Sequence, residues 1–170
     1  MNEVILFFSI LFLFGCVTTQ KNKGNTNVDI EIIDYGIFEV EIEKKEIEKE
    51  SVNGYVSKAI NYDLLKETDL IIGKTNTIFG FTYVLSVSDK NIKSLPITYI
   101  IKHPLIKNPE LQKEISIDKW IRDMGVGCLG FSGFMFEEDW EIEEGEWIFE
   151  LWFNDKKLTE KKFIVERYSI

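Results

Sequence analysis

The strongest constraint on how this chain folds lies near its C-terminus. From Gly145 to Val165 the sequence reads GEWIFELWFNDKKLTEKKFIV. Trp147, Phe149, Leu151 and Phe153 fall on every second residue, Asn154-Asp155 can turn the chain, and a second apolar run returns from Leu158 to Val165. Period two with aromatic and β-branched side chains is the pattern of paired strands with one buried face. A large aromatic removes roughly 150–250 Å² from water, so this hairpin can seed a core. Trp147, Phe149, Leu151 and Phe153 share a parity and are expected to face inward. Leu158 has the opposite parity to Phe163 and Val165, so a β-bulge is expected between Thr159 and Lys162. Lys161 and Lys162 suit an exposed, twisted segment at a sheet edge.

Upstream the same signal recurs. Phe79, Phe81, Tyr83, Leu85 and Val87 alternate with other residues in the clearest single strand, and Asp89-Lys90-Asn91 follows as a turn. Val28, Ile30, Ile32, Phe38, Val40 and Ile42 hold even positions, interrupted by Asp34-Tyr35-Gly36. One long strand, or two collinear strands kinked at Gly36, is expected. Asn53-Gly54 reads as a type I′ hairpin turn with Tyr55 to Tyr62 returning, and Asp63 to Asp69 leaves a short helical turn open. Pro96 to Lys102 reads as a strand ended by His103-Pro104. Residues 110–124 read two ways: Ile117, Trp120, Ile121 and Met124 have helical spacing, whereas Ile115, Ile117 and Ile121 also suit a strand, the reading preferred. Leu129 to Phe136 is strand-like. About 7–8 strands with no βαβ alternation predict an all-β fold, an antiparallel β-sandwich.

The N-terminus reads as an address. The twelve residues from Val4 to Gly15, VILFFSILFLFG, are too few to cross a bilayer, which takes about 20, and fit the h-region of a secretory signal. The ending Leu13-Phe14-Gly15-Cys16 resembles a bacterial lipobox. In such proteins the Cys carries acyl chains, palmitate among them, and becomes the first residue of the mature chain. Thr18 to Asn27 is polar and suits a flexible tether. The expected organisation is a lipoprotein signal peptide over 1–15, a lipidated Cys16 and tether over 16–27, and a β-sandwich domain over 28–170. Val17 stands where some bacterial lipoproteins carry an inner-membrane-retention Asp. By that resemblance the outer membrane or cell surface is favoured in a cell with two membranes.

Composition narrows the function classes. A net charge of −9, with lysines interleaved among glutamates, disfavours nucleic acid, whose affinity comes from Lys and Arg on phosphates. Cys16 and Cys128 form no disulfide framework. His103, the one histidine, would have to serve any Ser-His-Asp or Cys-His site, but it precedes Pro104 and is expected to be a structural turn residue. Cys128, in GVGCLG, is expected to be a buried small hydrophobe, with no neighbour in sequence to lower its pKa. Neither is expected to be catalytic. Zinc takes three or four ligands, so no metal site is expected, and no cofactor. The acidic loop Glu137–Glu146 lacks the calcium-loop pattern. Ile148 and Trp152 point away from Trp147; they either underlie a second packed layer or form an interaction surface.

Tyr35-Gly36-Ile37-Phe38-Glu39, then Phe79-Gly80-Phe81, His103-Pro104 with Asn108-Pro109, Trp140-Glu141, Gly145-Glu146-Trp147, Leu158 and Phe163-Ile164-Val165 occur in that order. The ordered set resembles the bacterial domain-of-unknown-function family 3859 from Ile33 to Val165. The resemblance implies an immunoglobulin-like sandwich and carries over no catalytic residue. The function expected is that of a cell-envelope lipoprotein, held to the membrane by its lipid anchor, whose sandwich is a non-enzymatic binding or interaction module for an envelope protein or glycan. One alternative is a glycan-active envelope hydrolase using two carboxylates of Glu137–Glu146, set ~5–10 Å apart across a cleft. Another is a structural subunit of an envelope complex.

Overall fold

The residues that alternate in the sequence meet around one phenylalanine. Phe79 is fully buried and lies 5.3–5.5 Å, centroid to centroid, from Phe136, Trp147, Phe149 and Phe163. The last three of those contacts are edge-to-face, the geometry the ring quadrupole prefers. Trp147, Phe149 and Leu151 are inaccessible to solvent, and Phe153 is half-buried at the turn.

The computed structural model describes residues 27–168, so the expected signal peptide, Cys16 and most of the expected tether lie outside the described residues. Nine strands are present among these: β1 (Val28–Ile47), β2 (Tyr55–Glu67), β3 (Leu70–Gly73), β4 (Ile78–Val87), β5 (Ser94–Asn108), β6 (Lys113–Gly125), β7 (Leu129–Met135), β8 (Gly145–Phe153) and β9 (Lys156–Arg167). They form two sheets, β2-β1-β4-β7 and β3-β9-β8-β5-β6, whose inner faces make the core of an all-β sandwich. All pairings are antiparallel except β3 with β9, which run parallel. Residues 113–125 are strand, as preferred, and Asp63 to Glu67 continues β2 without a helical turn.

Three expectations are displaced by bulges. The β8–β9 bulge falls between Leu151↔Thr159 and Trp152↔Lys157, so Leu158 is the extra residue, not one between Thr159 and Lys162. Its earlier position turns Lys161 inward. The ammonium lies 3.3 Å from the centre of the Tyr35 ring and 2.5 Å from Asp69, while Lys162 stays exposed beside Glu146. β5 does not end at His103-Pro104: it runs on to Asn108 through an irregularity between Lys102 and Ile106 that absorbs the proline.

β1 is one strand, but its even-numbered residues do not share a face. A register shift between Ile32 and Asp34 inverts the pleat. Val28 and Ile30 pair with Val87 and Leu85 over the core, whereas Phe38 pairs with Ile78 on the opposite face. Gly36 sits at this switch with φ 135°, and a Cβ there would lie 2.0 Å from the Lys66 carbonyl oxygen. Only glycine fits such a site. Beyond Phe38, β1 has no partner in β4, so the β1–β2 hairpin overhangs the sheet as an arm. The arm ends in a loop over residues 48–54 instead of a two-residue type I′ turn, with Gly54 alone at positive φ there. Val52 in this loop is fully buried, and docking it is what the longer loop achieves.

Candidate functional site

The arm crosses to the other sheet and closes a cavity of about 230 Å³. Val40, Ile42, Ala59 and Tyr62 of the arm form one wall. Phe131, Gly133 and Met135 of β7 form a second, and Tyr99, Trp120 and Met124 of β5 and β6 a third. Two parallel aromatic pairs frame the space. Tyr62 stacks on Phe131 at 5.3 Å and 17°, and Tyr99 on Trp120 at 5.2 Å and 6°. Tyr99 is held from behind by Tyr83, their hydroxyls 2.5 Å apart, and burial raises the pKa of both phenols. Gly130 makes room for this pair, since a Cβ there would lie 2.6 Å from the Tyr83 ring.

The arm is fastened at three places. At its tip, Val52 N–H donates to Asp118 (2.6 Å), Asn108 Nδ2 donates to the Val52 carbonyl (2.9 Å), and Lys119 N–H donates to the Glu50 carbonyl (3.2 Å). Along one side, Arg122 pairs with Glu46 (3.2 Å) and donates to the Ser57 carbonyl (3.3 Å). Along the other, Lys45 pairs with Glu137 (2.9 Å), and the Tyr55 hydroxyl donates to the same carboxylate. Burial works against the charge on Lys45, but Tyr55 and Glu137 outweigh it and raise its pKa. Glu46 is held below the usual carboxylate range, chiefly by Lys44, with Arg122 adding to the effect.

The charges lining the cavity are almost all matched. Lys58 meets Glu43 at 2.5 Å, Arg122 meets Glu46, and Glu137 meets Lys45. Asp118 is buried under the Val52 amide, with His103 Nε2 3.8 Å away, and Asp123 is exposed. Two lining atoms sealed from solvent, Trp120 Nε1 and Asn53 Oδ1, have no hydrogen-bond partner among the described residues. A more open hollow of about 810 Å³ shares Val40, Tyr62 and Leu129 with the cavity and is rimmed by Glu39, Glu41 and Asp63.

Of the candidate functional residues singled out in the sequence, Glu137 lines this cavity and the others within the described residues lie around it. His103 is buried inside β5 and is not a turn residue. Its ring lies 4.9 Å from Trp147, and Nδ1 is 2.7 Å from the Pro104 carbonyl oxygen. Cys128 is exposed in the β6–β7 turn, because the chain reverses through Gly127 at φ 75° instead of entering the core there. The acidic loop folds on itself: Glu141 turns inward and accepts the backbone N–H groups of Glu137 and Glu138, while Glu146 faces Lys162. Burial raises the Glu141 pKa against these hydrogen bonds. Glu137 lines the cavity, but Glu141, Glu143 and Glu146 do not. Among the described residues no group of three or more His, Cys, Asp or Glu side chains could hold a metal ion.

Ile148 and Trp152 lie on the outer face of their sheet, half-buried, on either side of Glu150. That carboxylate is almost wholly covered: it accepts from Lys102 (2.7 Å) and Trp152 Nε1 (2.8 Å), with Lys157 at 3.4 Å. Desolvation acts to raise its pKa, but these partners prevail and lower it. The cavity-forming residues Tyr62, Trp120, Arg122 and Phe131 escaped the sequence reading. The signal present was an alternation in β6 that puts Asp118, Trp120 and Arg122 on one parity.

Two stacked sheets closed by a hairpin arm, with no helix longer than the 3-10 turn Asp139–Glu141 among the described residues, place the molecule among the immunoglobulin-like β-sandwiches. Its fold is similar to that of an immunoglobulin-like protein of Pseudomonas aeruginosa, with a TM-score of 0.60 and 22% identity over 82% of this chain and 97% of that one. By its sequence the chain belongs to the family described as a domain of unknown function, DUF3859, whose model matches residues 26–165. None of the curated proteins compared with the chain matches it.

Proposed function

We propose that the protein is a non-enzymatic binding module of the cell envelope, held to the membrane by acyl chains on Cys16, which takes its ligand in the cavity under the β1–β2 arm. The observation that carries this reading is the cavity itself. Stacked aromatics line it, a hairpin arm fastened at three places closes it, and most of its charges are already paired. Concave, mostly apolar sites with a few placed polar groups are where small ligands bind. An envelope protein or glycan as partner would use the outer face around Ile148 and Trp152.

Two measurements test the reading. A ligand that binds only the folded state raises the melting temperature. Extracts of the cell envelope, fractionated and added to the full chain, are therefore expected to yield a fraction that stabilises it. The same fraction should leave Ala59→Phe, which fills the cavity from the arm side, unmoved. A fraction that stabilises both alike, or none at all, refutes the cavity as the binding site. Stable anchoring needs more than one acyl chain, so Cys16→Ala is expected to leave the membrane fraction. Equal membrane retention of both proteins refutes the anchor.

A further inference from the structure

We infer that the ligand of the cavity is a planar molecule of one or two fused aromatic rings that is not an anion and carries a hydrogen-bond acceptor on its edge; this rests on the reading of the cavity as the binding site. Size comes first. An apolar cavity of about 150 Å³ holds benzene, and about 230 Å³ leaves room for a second fused ring and little more. Shape follows from the walls. The Tyr62–Phe131 and Tyr99–Trp120 pairs are each within 17° of parallel. A flat ring offers such walls the offset-stacked contact that aromatics favour.

Charge is decided by what is already paired. Lys58, Arg122 and Glu137 each have an opposite charge at 2.5–3.2 Å, and Asp118 is turned to the arm's tip. An anion would lose its hydration and find no unpaired cation on the lining, which is costly. Glu39, Glu41 and Asp63, on the rim of the adjoining open hollow, further oppose the approach of an anion. The acceptor is assigned from Trp120. Trp120 lines the cavity and its Nε1–H is buried without a partner among the described residues, so a ligand edge that reaches it meets an unsatisfied donor. Satisfying a buried donor restores what leaving it unpaired costs.

The test uses four probes of one shape on the full chain at pH 7.5, titrated by calorimetry with the tryptophan indole N–H resonances followed by NMR. Quinoline is neutral and carries an acceptor. Naphthalene is neutral without one, N-methylquinolinium is a cation, and naphthalene-2-carboxylate is an anion. Quinoline is expected to bind about tenfold more tightly than naphthalene and to move the Trp120 N–H resonance. The anion is expected to bind more weakly than naphthalene, and the cation, whose nitrogen can accept no hydrogen bond, more weakly than quinoline. Trp120→Phe, which keeps a ring and removes the donor, should bring quinoline down to naphthalene. Ala59→Phe, its fold checked by melting temperature, should abolish binding of both.

Equal affinity of quinoline and naphthalene in the wild type overturns the acceptor. Tighter binding of the anion than of naphthalene overturns the exclusion of anions, and tighter binding of the cation than of quinoline overturns the acceptor. Failure of all four probes overturns the ring assignment. In each case the envelope-extract experiment, which uses none of these probes, decides separately whether the cavity binds anything.

Discussion

Phe79 and Lys161 mark the two ends of what a single side chain does here. Phe79 is met edge-on by Trp147, Phe149 and Phe163, so removing one of those rings leaves a void bounded by rigid neighbours. Phe149→Ala is expected to cost ~3–5 kcal/mol in equilibrium urea unfolding. A loss below ~1 kcal/mol, far short of that range, would mean the ring is not core. Lys161 holds a cation–π contact with Tyr35 and an ion pair with a mostly exposed Asp69. Its replacement by Ala is expected to cost about 1 kcal/mol, whereas Lys162→Ala, at an exposed site, should fall within about ±0.5 kcal/mol. Glu150 makes a pH prediction. Its folded pKa lies below the ordinary carboxylate value, so its ionised form stabilises the fold above that value, and the contribution is lost as pH falls through the folded pKa. Glu150→Gln keeps the shape without the charge. The urea midpoint of the wild type should exceed that of Glu150→Gln at pH 7, and the gap should narrow as pH falls below the ordinary carboxylate value and on through the folded pKa. A gap independent of pH would remove Glu150 as its cause.

The arm is the element that sequence parity described least. Alternation located its two strands, because Val40 and Ile42 on one and Tyr55 to Tyr62 on the other carry the period. Parity could not show that the shift at Ile32/Asp34 moves Phe38, Val40 and Ile42 to the opposite face from Val28 and Ile30. A bulge changes one residue's pairing, leaves composition untouched, and inverts everything after it. The cavity was illegible for a related reason. Its walls come from β1–β2, β5–β6 and β7, and the contacts that close it join residues far apart in sequence, such as Val52 with Asp118 and Lys45 with Glu137. β6 was ambiguous because it carries apolar residues on both faces: Ile117 and Ile121 point outward and are exposed, while Trp120 and Met124 point inward. With no partner in β4, the arm is expected to open separately from the core. Glu137→Gln, which weakens the link to Lys45 and Tyr55, should speed amide hydrogen exchange in Tyr55–Tyr62 several-fold and leave Phe79–Leu85 unchanged. An equal acceleration in both segments would make the arm part of one cooperative unit with the core.

At the scale of the whole molecule, four of the seven strand pairings join strands that do not follow one another in the chain. β1 pairs with β4, β4 with β7, β5 with β8, and β3 with β9 across most of the domain. Each pairing must close a long loop before its contacts repay the entropy, and β-sandwiches built this way fold in milliseconds to seconds, not microseconds. The local hairpins, β1–β2, β5–β6 and β8–β9, can form early, but none buries its apolar face alone. The rings of Phe79, Phe136, Trp147, Phe149 and Phe163 come from β4, β8, β9 and the segment after β7. The core therefore assembles only when both sheets dock. Trp147 is wholly inaccessible and reports that event. Stopped-flow refolding of the full chain, followed by tryptophan fluorescence, should show its main phase on the millisecond-to-second scale. Reductant should not shift the urea midpoint, since the fold draws nothing from Cys128, which is free and exposed. Phe149→Ala should then separate two routes: slower folding with unchanged unfolding places the β8–β9 hairpin in the nucleus, and faster unfolding with unchanged folding places it after the barrier. We expect the first, because Phe149 is packed against both its own hairpin partner Phe163 and Phe79 of the facing sheet. Refolding complete within microseconds, or a midpoint that moves with reductant, would contradict this account of how the sandwich is held.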